Sequence, residues 1–279
     1  MYGVRITLPR ASGLAKVTLV LNEIHMLDGL NETIMVAAAD RRISEKSRYS
    51  DTRRKAFRIP RLNGALLYFG LADFWDASGK RRYLSDWLPA FIQNHASEPD
   101  LRRFCFALQE GLERFIPPSL LGKEVSGFQI CGYNADFIPE YWLLTNIRAI
   151  NALGVVTKLK PTYKAPAPHF LQDHARREFH WDGVNPDSCE NGVKIYRFGD
   201  FRAHVVASEP VDEVFRRLSQ FPQDFRMPHT LSEYRDYVRF KFEFIAYIYK
   251  KWARHQIIGR PIDVFAWHAD ARRRTIETV

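Results

Sequence analysis

The chain has 279 residues, 46% hydrophobic and 14% aromatic, with three cysteines and a formal net charge of +9. That composition is enough to bury a large core in one large domain or two smaller ones, and it excludes a disulfide framework. No run of about 18 apolar residues exists, and residues 1–16 lack the apolar centre of a secretory signal, so the expected setting is the cytoplasm, without a membrane span.

Cys105, Cys131 and Cys189 are too scattered for a zinc site and read as small buried hydrophobes. The basic clusters at Arg41-Arg42, Arg53-Arg54-Lys55, Lys80-Arg81-Arg82, Arg176-Arg177 and Arg272-Arg273-Arg274 are dispersed. None lies in a nucleic-acid-binding motif, which argues against a nucleic-acid partner. His169, His174 and His180 share a segment with Asp173 and Asp182, yet their spacing fits no standard metal pattern, so no metal is expected.

In chain order, the first sixteen residues carry no periodicity. A strand is expected over 17–21, then a turn at Asp28-Gly29 and a second strand over 33–39 that is continuously apolar, as a strand covered on both faces should be. Folding there sets Asp40 opposite Val17, Thr18 or Leu19, according to whether the loop has two, three or four residues. Residues 55–60 alternate as a strand, Asn63-Gly64 turns the chain, and 65–70 form another buried strand. Helical spacing follows over 72–86, 83–94 and 101–115, the last ending at Pro117-Pro118.

Strands are expected next over 125–133 and 141–147. The stretch from about 161 to 192, rich in Pro, His, Asp and Asn, reads as a surface insertion. A further strand pair (193–200 and 201–207), a helix (211–218), a long helix (about 231–255) and a last strand (262–267) complete the chain. On the long helix Tyr234, Tyr237, Val238, Phe240, Phe244, Ile245, Ile248 and Trp252 form a wide apolar face. The order strands, two helices, strands, two helices, strand predicts an α+β protein of two stacked antiparallel sheets with helix pairs outside.

Several stretches resemble the amino-terminal half of proteasome β subunits and their bacterial relatives. They are Ala37-Ala38-Ala39-Asp40-Arg41-Arg42, Lys55-Ala56-Phe57-Arg58-Ile59, Gly64 to Leu67, and Gly70-Leu71-Ala72-Asp73. Ile258-Gly259-Arg260-Pro261-Ile262-Asp263-Val264 resembles the last helix-to-strand junction of the same family. The resemblance implies a four-layer αββα N-terminal-nucleophile (Ntn) hydrolase sandwich over residues 17–279, with 1–16 a leader or a misassigned start. It implies a homo-oligomeric ring or spiral acting on peptide or amide substrates without a cofactor, any ATPase partner being undetermined.

In that family a threonine at the first residue of the mature chain attacks the carbonyl, with its own α-amino group as base. Such a group titrates at about 7.7–8.0, near enough to neutrality to accept the hydroxyl proton. The resemblance puts that role on Thr18, the family's aspartate on Asp40 and its lysine on Lys55. The oxyanion donor falls on the backbone N–H of Gly70 or the adjacent Phe69. Two departures stand out. Valine (Val17) precedes Thr18 where self-cleaving members usually have glycine, and Gly199-Asp200-Phe201 replaces a Gly-Ser-Gly, leaving Asp200 as either a supporting carboxylate or a turn residue.

A free Thr18 amine then requires either processing or translation from Val17, since GTG encodes valine internally and methionine at a start. The alternative is a catalytically silent scaffold or binding protein of the same fold.

Overall fold

The computed structural model describes residues 18–45, 48–151, 156–171, 173–199, 203–204 and 208–279. They form an α+β protein with two five-stranded antiparallel sheets and six α-helices among those residues. The strands of the large sheets are β1 (Leu19–Asp28), β2 (Glu32–Asp40), β3 (Ala56–Ile59), β4 (Gly64–Gly70), β5 (Ser126–Tyr133), β6 (Pro139–Thr145), β7 (Ala167–Pro168), β8 (Gly192–Gly199), β9 (Ile262–Asp270) and β10 (Thr275–Thr278). The helices are α1 (Leu84–Asn94), α2 (Leu101–Phe115), α3 (Pro118–Leu121), α4 (Asp173–Glu178), α5 (Glu209–Leu218) and α6 (Leu231–Trp252). One sheet runs β8-β1-β2-β9-β10 and the other β7-β6-β5-β4-β3.

Alternation along the central strands explains how the sheets stack. In β2, Met35, Ala37 and Ala39 join a core cluster that also holds Ala65, Leu67 and Phe69 of β4, so these residues face the other sheet. The intervening Ile34, Val36 and Ala38 join a second cluster with Val238, Phe242, Ile245 and Ala246 of α6. On β4 the opposite face, Leu66 and Tyr68, packs with Leu84, Leu88 and Phe91 of α1 and Phe104, Leu108 and Leu112 of α2. Both faces of both central strands are therefore covered, which is why β2 and β4 read as unbroken apolar runs.

The structure corrects several local expectations. Residues 72–83 are not helical: Asp73–Trp75 pairs with Arg81–Tyr83 as a small ribbon. The Asp76 side chain accepts the N–H groups of Ser78 and Lys80 and fixes a turn that includes Gly79 at φ +74°. The segment expected as a surface insertion is mostly exposed, and it is anchored by Phe170, Leu171, Ala175, Trp181 and Cys189, which are buried in the cluster between the sheets. Its polar residues also serve turns, as where Asp182 caps Val184 and Asn185.

Of the strand expected over 201–207, only Ala203 and His204 are described, and they are helical. The buried face of α6 is narrower than the one expected, with Tyr234 and Ile248 also packed against it. Tyr237, Val238, Phe242 and Ile245 are buried, whereas Phe240, Phe244 and Trp252 are exposed. All three cysteines are free and buried. Among the described residues, no helix is long and apolar enough to cross a membrane.

Candidate functional site

The β1–β2 hairpin sets the site. Its turn spans residues 29–31, with the Asn31 N–H donating to the Asp28 carbonyl at 3.0 Å, and the register shifts once between Met26 and Asp28. Val20 consequently pairs with Ala39, and the next step brings Leu19 beside Asp40. The backbone N–H of Leu19 donates to Asp40 Oδ1 at 2.9 Å. Of the three partners the hairpin allowed, the structure selects Leu19, because the shift at Met26 adds one residue on the β1 side.

Asp40 is fully buried and has two further partners: the Arg42 N–H donates to Oδ2 at 3.1 Å and Lys55 Nζ donates to Oδ1 at 3.1 Å. Lys55, only 1% exposed, also donates to the Arg42 carbonyl. Burial pushes the Asp40 carboxyl up from its usual range, opposed by the Lys55 ammonium and the two backbone donors. Burial likewise pulls the Lys55 ammonium down, with Asp40 opposing. The arch leading to Lys55 is held by ion pairs: Arg41 with Asp263 of β9, Arg42 with Asp51, and Arg53 with Asp86 of α1. These basic residues of the arch have acidic partners rather than forming a free cationic surface.

Thr18 directly precedes Leu19 and is 4% exposed. Its carbonyl lies against Gly199 at the end of β8, which sits at φ +106°; a Cβ at that position would fall 1.5 Å from the Thr18 oxygen. Only glycine permits β8 to end so close to the start of β1. Asp200, the next residue, lies outside the described residues.

Backbone alternation also distinguishes Gly70 from Phe69. The Tyr68 N–H donates to the Lys55 carbonyl at 3.0 Å, and the Leu71 N–H donates to the Val125 carbonyl at 2.7 Å, on the side of β5. Successive amides of a strand point to opposite sides, so the Phe69 N–H is turned toward β5 and the Gly70 N–H toward the side of Lys55. Gly70 has φ +82° and a Cβ there would fall 2.2 Å from the Val125 carbonyl, so this strand end also requires glycine.

The structure thus joins Asp40 and Lys55 directly, places Thr18 one residue from Leu19, whose amide also bonds Asp40, and turns the Gly70 amide to the side of Lys55. Among the described residues, no group of three or more His, Cys, Asp or Glu side chains is arranged to hold a metal ion. A second buried ion pair escaped the sequence reading. Lys241 Nζ of α6 donates to Glu23 Oε1 of β1 at 2.5 Å and to Asp212 Oδ1 of α5 at 3.0 Å. The signal was present, because Glu23 interrupts an apolar strand and Lys241 lies one helical turn from both Tyr237 and Ile245.

Compared with known proteins, the chain matches no family model, and no curated protein matches it in sequence.

Proposed function

We propose that this chain is a threonine-type peptidase or amide hydrolase of the Ntn class, folded as a four-layer αββα sandwich, with Thr18 as the nucleophile once its amine is free. The observation that carries the reading is the bridge through Asp40, which accepts from the Leu19 amide and from Lys55 together. A buried ammonium is thereby fixed at the strand end that begins with Thr18. The stacked sheets, with α1 and α2 on one outer face and α6 on the other, support the fold assignment.

In this mechanism the Thr18 hydroxyl oxygen attacks the amide carbon and its proton passes to the Thr18 α-amine. Lys55 favours the neutral amine and the developing alkoxide by its positive charge, and Asp40 holds Lys55 oriented. The Gly70 N–H donates to the oxyanion. Collapse of the intermediate expels the leaving amine with the proton from the α-ammonium, and water then hydrolyses the Thr18 ester. Asp200 is either a supporting carboxylate or a turn residue. No metal or cofactor is required, and the substrate is a peptide or amide met by a homo-oligomer.

One observation favours a catalytically silent scaffold instead: as written, the Thr18 nitrogen is in an amide bond to Val17, and an amide nitrogen is no base. Intact mass and amino-terminal sequencing of protein expressed from the native gene separate the two readings. The hydrolase reading predicts a chain beginning at Thr18, labelled by a threonine-directed electrophile and inactivated by Thr18→Ala. A chain that retains Met1 and turns over no amide substrate leaves the scaffold reading.

A further inference from the structure

The interior between the two sheets is not uniformly apolar. On β1, Val20, Ile24 and Met26 belong to the central core cluster, and Asn22 lies between them at the same alternation. On β5, Cys131 and Tyr133 belong to that cluster, and Gln129 shares their face. Asn22 and Gln129 are fully buried and Tyr141 of β6 is 1% exposed. Both amide atoms of Asn22, both of Gln129 and the Tyr141 hydroxyl have no hydrogen-bond partner in the protein.

Strand register and ring stacking place these residues in one neighbourhood. Asn22 pairs with Tyr196 across β1 and β8. The Tyr196 ring stacks on the Tyr141 ring, with centroids 3.7 Å apart and planes within 4°. Tyr141 pairs with Cys131 across β6 and β5. The Cys131 thiol in turn lies against the Asn22 amide, a weak partner that does not satisfy it. Gln129 is the next residue on the same face of β5.

Several neighbours are small. Ala37 is the strand neighbour of Asn22 and Ala65 that of Cys131, so on one side each has only a methyl group beside it. A void lined only by hydrocarbon would stay dry, whereas one lined by two primary amides and a phenol supplies the two to four polar partners that a buried water needs. Native proteins rarely leave so many buried polar atoms unpaired in one place.

We infer that Asn22, Gln129 and Tyr141 line an internal hydration site between the sheets, holding about two ordered waters that bridge the two amides and the phenol. The site explains why two amides persist in an otherwise apolar interior: the waters complete their hydrogen bonds, and the bridge pins β1 against β5 in one register.

Two measurements on the full wild-type chain test this. A high-resolution crystal structure is expected to show water density within about 3 Å of both side-chain amides. Rotating-frame nuclear Overhauser spectra should show water cross-peaks to the Asn22 and Gln129 NH2 groups. Amides bonded directly to each other or to backbone carbonyls, with no density and no cross-peaks, would overturn the inference. The near-isosteric Asn22→Leu and Gln129→Met variants add a thermodynamic test. With shared waters, each lowers Tm and the double variant loses less than the sum of the two. In a dry site both raise Tm by removing unpaired amides. If either variant fails to fold, the wild-type spectra decide.

Discussion

Two buried lysine–carboxylate pairs anchor the β8-β1-β2-β9-β10 sheet, and their surroundings differ. Lys241 is surrounded by acceptors: Glu23 at 2.5 Å, Asp212 at 3.0 Å and the Tyr237 ring at 4.6 Å, while His25 Nε2 supports Glu23 at 3.0 Å. Burial alone would push Glu23 up, but Lys241 and His25 outweigh it and hold the carboxyl far below its usual range. Around Lys55 the balance reverses. Its carboxylate partner Asp40 is bonded to two backbone N–H groups, and burial drives Asp40 up and Lys55 down. The first pair is electrostatically satisfied and joins β1 to two helices. In the second, burial disfavours both charges, and the contact between Asp40 and Lys55 together with the two backbone donors opposes it.

The largest expected effect comes from removing the lysine beside Asp40. Lys55→Met should reduce turnover by Thr18-started protein by about 10²–10³-fold, the usual worth of one fixed group that stabilises developing charge. It should cost less stability than the equivalent change at Lys241, because Asp40 is already pushed up, can take a proton and keeps its two backbone donors. Steady-state kinetics and chemical denaturation of the same preparation check both halves. Equal losses of stability at the two sites would remove the distinction.

Next comes Lys241→Met. Stranding Glu23 in the core should cost about 3–5 kcal/mol, read as a lower denaturation midpoint, with turnover of the surviving folded protein unchanged. The smallest effect, and the sharpest on sign, is the acid limb of stability. A carboxyl with a depressed folded value contributes stability that is complete above its ordinary value of 4.5 and is lost as pH falls below it. Asp40, raised in the folded state, has no such loss on acidification. Denaturation curves from pH 7 to pH 3 should therefore show a Glu23-dependent decline that flattens in Lys241→Met and persists in Lys55→Met.

Much of this was legible in the residues. The uninterrupted apolar run at 33–39 and the turn at Asp28-Gly29 announced a buried hairpin, and helix α2 falls on Leu101–Phe115 as its spacing indicates. Asp40 and Lys55 were singled out by resemblance, and the structure puts them in contact. Less visible was the ribbon at Asp73–Trp75, where helical spacing of aromatic residues competed with the Asp76 turn and the turn prevailed. Less visible too were the anchors of 161–192: the stretch is mostly exposed, as its polar content indicates, while a few large residues such as Phe170 and Trp181 fasten it to the core.

Sequence by itself determined the class of the protein, because alternation and helical spacing are local and each strand or helix carries its own pattern of burial. It also supplied, through a resemblance, Thr18, Asp40 and Lys55 as the candidates of the proposed site. Register and proximity were decided only in three dimensions. A one-residue shift near Met26 chose Leu19 as the partner of Asp40, the alternation of amides turned Gly70 rather than Phe69 to the side of Lys55, and packing of α6 joined Lys241 to Glu23 across 218 positions of chain. The physical reason is that such contacts depend on the whole ladder and the stacked layers, and no single stretch of sequence encodes them.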